Sequence, residues 1–95
     1  MANYIVYRFI NKLTGESYIG KTTRSLAKRR SDHVYKAKNG YTDKFHQAIL
    51  HYGIDNFDAE ILHVCKNKKQ LALCEINLIR KYNTIDNSYN TQVRK

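Results

Sequence analysis

Two runs rich in β-branched and aromatic residues open the chain, YIVYRFI (residues 4–10) and SYIG (17–20), and the polar segment NKLTGE (11–16) separates them. Such runs suit a pleated, half-buried surface, and a polar break between them predicts a β-hairpin. The strand period of two puts Ile5, Tyr7 and Phe9 on one face and Tyr4, Val6, Arg8 and Ile10 on the other. The period then changes. KTTRSLAKRRSDHVYKAKNG (21–40) predicts a helix with Thr22 or Thr23 as N-cap, Gly40 past its end, and an apolar arc of Leu26, Ala27, Val34 and Ala37. DKFHQAILHYG (43–53) predicts a second helix, with Phe45, Ala48, Ile49 and Tyr52 at helical spacing and Gly53 as its stop. NFDAEILHV (56–64), bounded by turn residues, predicts a third strand. KKQLALCEINLIRKYN (68–83) predicts the last helix, and a polar tail follows from Thr84 to Lys95. The order ββααβα implies an α+β fold, a small three-stranded antiparallel sheet flanked by helices.

A length of 95 residues suits one domain, 1–95, with a core over 4–90 and a basic polar tail at 91–95. No run of ~18 apolar residues is present, so no membrane span is expected. MANYIVYRF carries no basic stretch ahead of a cleavage site, so no signal peptide is expected. Cys65 and Cys74, isolated in sequence, suit neither a disulfide framework nor closely spaced zinc ligands, and a reducing cytoplasm is the expected compartment. Charge says more: 17 Lys and Arg against 8 Asp and Glu leave +9. That excess suits a polyanionic partner, nucleic acid first, although solubility alone is the plainer explanation. Its distribution favours the partner. Between residues 21 and 38 lie Lys21, Arg24, Lys28, Arg29, Arg30, Lys36 and Lys38, with Asp32 as the single acid.

Three elements carry candidate chemistry. On the last helix, Leu71, Ala72, Cys74, Ile76, Leu78, Ile79 and Tyr82 form one broad apolar arc, and Glu75 falls near its middle. A carboxylate there is costly unless it has a buried Arg or Lys, a metal ion or a shared proton. A Mg²⁺ completed by phosphate oxygens and water is the functional member of that set. On the first helix, Arg29, His33 and Lys36 follow i, i+4, i+7 along one edge of the apolar arc. Such a stripe is a solvated flank or a grip for phosphate, with Arg29 placed to take two oxygens at once. Arg30 points more toward the apolar arc and reads as a snorkelling arginine. Each arm of the hairpin carries a tyrosine, Tyr7 and Tyr18; a tyrosine on a sheet face is more often core than catalyst, but a phenol beside a metal-bound water can move a proton.

VYRFINKLTGESYIGKTTRSLAKRRSDH resembles the start of a GIY-YIG endonuclease domain, in the form common to phage and mobile-element homing nucleases. The likeness continues through AILHYGIDNFDAEIL, LCEINLIRKYNT and SYN, covering Tyr4 to Asn90. Tyr18, Ile19 and Gly20 form the YIG triplet, whereas Ile5, Val6 and Tyr7 stand where the first motif has glycine, isoleucine and tyrosine and keep its tyrosine. Ser88 replaces a glycine common before the late Tyr-Asn pair. The resemblance implies that Tyr7, Tyr18, Arg29 and a metal-binding Glu75 share one active site. His33 matches a histidine seen in many homing members, and Asn90 a late asparagine that braces the site. A further histidine of some members would fall near Tyr41 or Thr42, where this chain has none.

The activity so implied is metal-dependent hydrolysis of DNA phosphodiester bonds, by nicking or double-strand cleavage. One Mg²⁺ (or Mn²⁺) per site on Glu75 would act as Lewis acid, and Arg29 would neutralise charge developing on the phosphoryl oxygens. Tyr7 would be the general base, its phenolate favoured by nearby cations, with His33 as the other candidate; Tyr18 would orient water or phosphate. A single carboxylate argues against two metals. The rival readings are a non-catalytic basic nucleic-acid-binding domain that keeps the fold, and a module of a structure-specific repair nuclease. The setting implied is the cytoplasm of a bacterial or phage-infected cell. Target choice is expected from charge alone, from a specificity domain outside these residues, or from a partner protein.

Overall fold

The computed structural model describes residues 4–82 and 89–90. Ser88 and the tail at 91–95 lie outside the described residues. Strands β1 (Ile5–Asn11) and β2 (Ser17–Thr22) form the hairpin, followed by helices α1 (Leu26–Lys38) and α2 (Lys44–Tyr52). A single 3-10 turn, Ile54–Asn56, leads into β3 (Phe57–Val64) and α3 (Lys68–Tyr82). The sheet has three strands in the order β2-β1-β3, antiparallel throughout, as the pattern predicts. Asn11 makes the hairpin turn: its Oδ1 accepts from the Leu13 N–H at 2.9 Å and its carbonyl from the Gly15 N–H at 2.8 Å. Gly15 sits at φ 79°, the left-handed region that glycine enters without strain.

β1 is the middle strand, paired along both edges, and helices cover both its faces. Tyr7 and Phe9 pack with Ala37 of α1 and with Phe45, Ala48 and Ile49 of α2, while Val6 packs with Ile19 and with Leu71 and Ile79 of α3. The helices thus sandwich the sheet, and the faces are those that alternation assigns. Phe9 is fully buried, and such a ring contributes roughly 1.5–3 kcal/mol through the water it sheds.

Helix α1 differs from expectation in two ways. Strand β2 continues through Thr22, whose Oγ1 accepts from the Arg24 N–H at 3.0 Å. The helix therefore begins later, with Ser25 as N-cap accepting from the Lys28 N–H at 3.2 Å. Its inward face is also rotated: His33 and Ala37 are buried and Ala27 is exposed. A methyl group has too little apolar surface to set the phase of a helix that can bury an imidazole among aromatic rings. Helix α2 starts at the Asp43 cap and stops at Gly53, φ 84°, as expected. On α3 the buried positions are Leu71, Glu75 and Ile79, so the carboxylate does lie in the middle of the packed stripe.

Two further contacts join distant parts of the chain. Tyr89 and Asn90 dock along the outer edge of β2, where the Tyr89 N–H donates to the Ser17 carbonyl at 3.0 Å. The Asn90 amide donates to the Ile19 carbonyl and accepts from the Ile19 N–H, both at 2.9 Å, as a neighbouring strand would. Cys65 and Cys74, far apart in sequence, meet in space beside His63, with all three ligand atoms within 4.8 Å of one another. The isolation of the thiols read from the sequence is corrected here, because the end of β3 packs on α3. Among the described residues no helix is long and apolar enough to cross a membrane.

Candidate active site

A cavity of about 370 Å³ opens at the β2 edge of the sheet, where side chains from both faces converge. The hairpin contributes Tyr18 and Lys21, α1 contributes Arg29, His33 and Lys36, and α3 contributes Glu75. Asn90 also lines it, holding β2 by the backbone of Ile19. The remaining basic residues read as one patch are dispersed. Arg24 pairs with Asp32 at 2.8 Å, Arg30 pairs with Asp55 at 3.2 Å instead of snorkelling along an apolar arc, and Lys28 and Lys38 are exposed.

Tyr7 lies beneath this lining, fully buried. Its register partner on β2 is Gly20, and Phe9 faces Tyr18, so both tyrosines project from the same face of the hairpin, ring centroids 6.4 Å apart. A Cβ placed on Gly20 would collide with the Tyr7 Oη and Cζ and stand 2.9 Å from Tyr18 Cε2. The last residue of the YIG triplet is therefore a steric requirement of the first tyrosine. Tyr18 in turn is stacked on Phe45, centroids 4.3 Å apart and planes within 1°.

The Tyr7 hydroxyl is the hub of a buried polar chain. Arg29 Nε donates to it at 3.0 Å, and His33 Nε2 lies 2.7 Å from it. His33 Nδ1 is 2.9 Å from His46 Nε2, and His46 Nδ1 is 2.7 Å from each oxygen of the Asp43 carboxylate. Burial pushes the Tyr7 phenol well above its ordinary pKa, as does Tyr18, and the opposing pull of Arg29 is too weak to reverse this. Cations that favour a phenolate were expected; desolvation outweighs them, so the phenol stays protonated. Burial also lowers His33 to about 3, helped by the positive charges of Arg29 and Lys36 and by the neighbouring His46 ring, so its imidazole is neutral. Burial disfavours charge on Arg29 as well, but Tyr7, Tyr18 and Asp32 outweigh it and hold the guanidinium charged.

Glu75 is 6% exposed, and its nearest described cation is not Arg29 but Lys21, with Nζ 3.7 Å from Oε1. The structure thus brings together Tyr7, Tyr18, Arg29, His33, Glu75 and Asn90. It also adds His46 and Asp43, which sequence reasoning left out. The signal for them lies in Asp43 and His46 themselves, a carboxylate N-cap and an imidazole at i, i+3 on the buried side of α2.

Tyr18, a helix arginine and a buried helix glutamate thus surround one cavity, with Tyr7 of the same hairpin beneath its lining. The model of the GIY-YIG catalytic domain family matches residues 3–90, and the chain belongs to that family. It is 31% identical over 83 residues to the uncharacterized protein 019R of Invertebrate iridescent virus 6, a match spanning 85% of this chain and 30% of that relative. Among solved structures it resembles a mutant of the catalytic domain of the intron endonuclease I-TevI, with TM-score 0.85 and 21% identity over 98% of this chain and 97% of that one. A second structure, the catalytic domain of the homing endonuclease I-TevI, gives TM-score 0.79 and 22% identity over 94% of this chain and 98% of that one. The likeness of fold therefore spans nearly the whole chain.

Proposed function

We propose that this chain is the catalytic module of a divalent-metal-dependent DNA endonuclease. One observation carries the reading: a buried carboxylate, an arginine and an imidazole bonded to the Tyr7 phenol behind it converge on a single cavity in a chain of charge +9. Lys21 and Lys36 on the same lining make that cavity cationic, which suits a phosphodiester. The solved domains of like fold are named as endonuclease domains, and this chain shares their family's catalytic fold.

The donor set fits one hard cation. Of the carboxylates on the lining, Asp43 is bound to His46 and caps α2, and Glu75, buried beside Lys21, is the one that would hold a Mg²⁺ or Mn²⁺ completed by phosphate oxygens and water. Bound there, the ion would supply Lewis-acid polarisation of the scissile phosphate. The protein's own groups do the rest. Arg29 pairs with the phosphoryl oxygens. When it does so it leaves the Tyr7 oxygen, which it covers in this structure, open to the attacking water. Tyr7 accepts the water's proton while passing its own to His33 Nε2, so no free phenolate has to form in a buried setting that disfavours it. Tyr18 orients water or phosphate, and Asn90 holds the strand that carries it. A second assignment has an observation of its own: His33 reaches the cavity and Tyr7 does not, which suits His33 as direct base with Tyr7 as its holder.

Supercoiled plasmid incubated with the protein tests the reading. It is expected to become nicked or linear with Mg²⁺ or Mn²⁺ and to stay supercoiled with EDTA. Tight DNA binding with no cleavage under either ion would replace it with the non-catalytic reading.

A further inference from the structure

The relay does not end at His33, and its far end carries a role of its own. We infer that His46 and Asp43 are positioning residues that fix the tautomer of His33 and take up the proton the reaction releases; this rests on the nuclease reading above. The direction of the chain follows from its terminus. A carboxylate only accepts, so His46 Nδ1 carries the hydrogen toward Asp43. A neutral His46 then presents a bare Nε2, and His33 must donate to it from Nδ1. His33 Nε2 is left bare and faces the Tyr7 hydroxyl, the one orientation in which it can take the phenol's proton. A carboxylate on α2 thereby sets the polarity of a group 2.7 Å from a tyrosine on β1.

The step balances. One water O–H breaks as a new Tyr7 Oη–H forms, the old Tyr7 proton moves to His33 Nε2, and the His33 Nδ1 proton moves to His46 Nε2. Water's oxygen bonds to phosphorus as hydroxide while the phosphorus–oxygen bond to the leaving strand breaks, and that strand's oxygen takes the bonding pair and then a proton from solvent. The positive charge ends on His46, against Asp43, and not on His33, which sits among the charges of Arg29 and Lys36. His33 is 1% exposed and cannot discharge to solvent directly, whereas the Asp43 side chain is 38% exposed.

Asp43 also caps α2, so the test must separate the two duties. Asp43→Asn keeps a good N-cap and removes the charge, and its amide group can turn to donate, which reverses the chain. Nitrogen-15 chemical shifts of His33 in the folded protein, which need no activity, are expected to show hydrogen on Nδ1 in wild type and on Nε2 in Asp43→Asn. Plasmid nicking should fall on the order of 10²-fold in Asp43→Asn and in His46→Leu, with DNA affinity unchanged. His46→Gln, whose carbonyl can still accept from His33 Nδ1 but cannot take its proton, should keep the wild-type tautomer and recover only part of the loss. Wild-type His33 protonated on Nε2, or wild-type nicking by both Asp43→Asn and His46→Leu, would overturn the inference. A wild-type protein that never cuts would sink the nuclease reading while leaving the tautomer result to stand.

The geometry separately points to a soft-metal site outside this cavity, formed by His63 near the end of β3, Cys65 just beyond it and Cys74 on α3. Two sulfurs and one imidazole within 4.8 Å are the donor types of Zn²⁺, with a fourth position for water. Occupancy would tie β3 to α3 next to Glu75, at the residue preceding it. Titration with Co²⁺ under reducing conditions is expected to give thiolate-to-cobalt absorption saturating at one equivalent. Zn²⁺ should raise the melting temperature of wild type and not of His63→Ala or Cys74→Ser. Absence of that absorption, or equal Zn²⁺ stabilisation of His63→Ala, would overturn the site.

Discussion

Gly20→Ala is a one-carbon change whose consequence can be worked from contacts. The new Cβ would meet the Tyr7 hydroxyl and ring carbon at separations real atoms do not show. Tyr7 cannot slide aside: it is fully buried, edge-on to Phe9 with centroids 5.4 Å apart, and held through its oxygen by Arg29 and His33. Overpacking a tight site costs ~1–3 kcal/mol, and loss of either hydrogen bond adds ~0.5–1.5 kcal/mol. A total of about 1.5–4.5 kcal/mol corresponds to a fall in melting temperature of roughly 6–36 °C for a domain of this size. Thermal melts by circular dichroism measure it, with urea titrations to show that the midpoint moves while the slope does not. The mechanism also predicts coupling. In a Tyr7→Leu background the obstacle is gone, so Gly20→Ala should cost less than half as much there. Equal costs in the two backgrounds, or a Gly20→Ala melt within about a degree of wild type, would refute the steric account of the YIG glycine.

Tyr7→Phe should retain DNA binding and slow nicking by ~10²–10⁴; a wild-type rate would move the base to His33. The neutral, buried His33 makes the fold acid-sensitive, with Arg29 and Lys36 of α1, His46 of α2 and the two hairpin tyrosines facing it. Its pKa falls from 6.5 to about 3 on folding, so the unfolded chain binds more protons in that window. Stability should therefore be intact above pH 6.5 and fall toward pH 3, on the order of a few kcal/mol, and less steeply in His33→Gln when both are followed by urea melts. DNA affinity should fall with salt at a log–log slope of at least ~2.7, from ~0.9 for each of the three cavity cations Lys21, Arg29 and Lys36. A slope near zero in a filter-binding titration would remove the nucleic-acid partner.

The strands, the helices and the inward carboxylate of α3 were legible in the sequence because each rests on a local period. Glu75 stands out for that reason: a charge in the centre of an apolar stripe is a contradiction visible without coordinates. Resemblance to a known family supplied the grouping of Tyr7, Tyr18, Arg29 and Glu75, which no local pattern contains. Long-range pairings were the part that stayed hidden. Nothing around Glu75 names Lys21 as its neighbour, and nothing around His33 announces that it turns inward. The His33–His46–Asp43 chain depends on how α1 and α2 pack against one face of the hairpin, a relation of tertiary structure alone. Burial itself was the other blind spot: the cations near Tyr7 could be counted in advance, but the desolvation that defeats them could not.

The central claim is that Glu75 serves the reaction and not the fold. Its structural cost of replacement is small in this account, because Lys21, 3.7 Å away, is 36% exposed and reaches water when the carboxylate is lost. The decisive measurement is plasmid nicking in Mg²⁺ by Glu75→Gln beside wild type, with melts and DNA titrations on the same preparations. The account predicts a variant that melts within a few degrees of wild type, binds DNA as tightly or more so, and does not cut. A Glu75→Gln protein that nicks at the wild-type rate would contradict it.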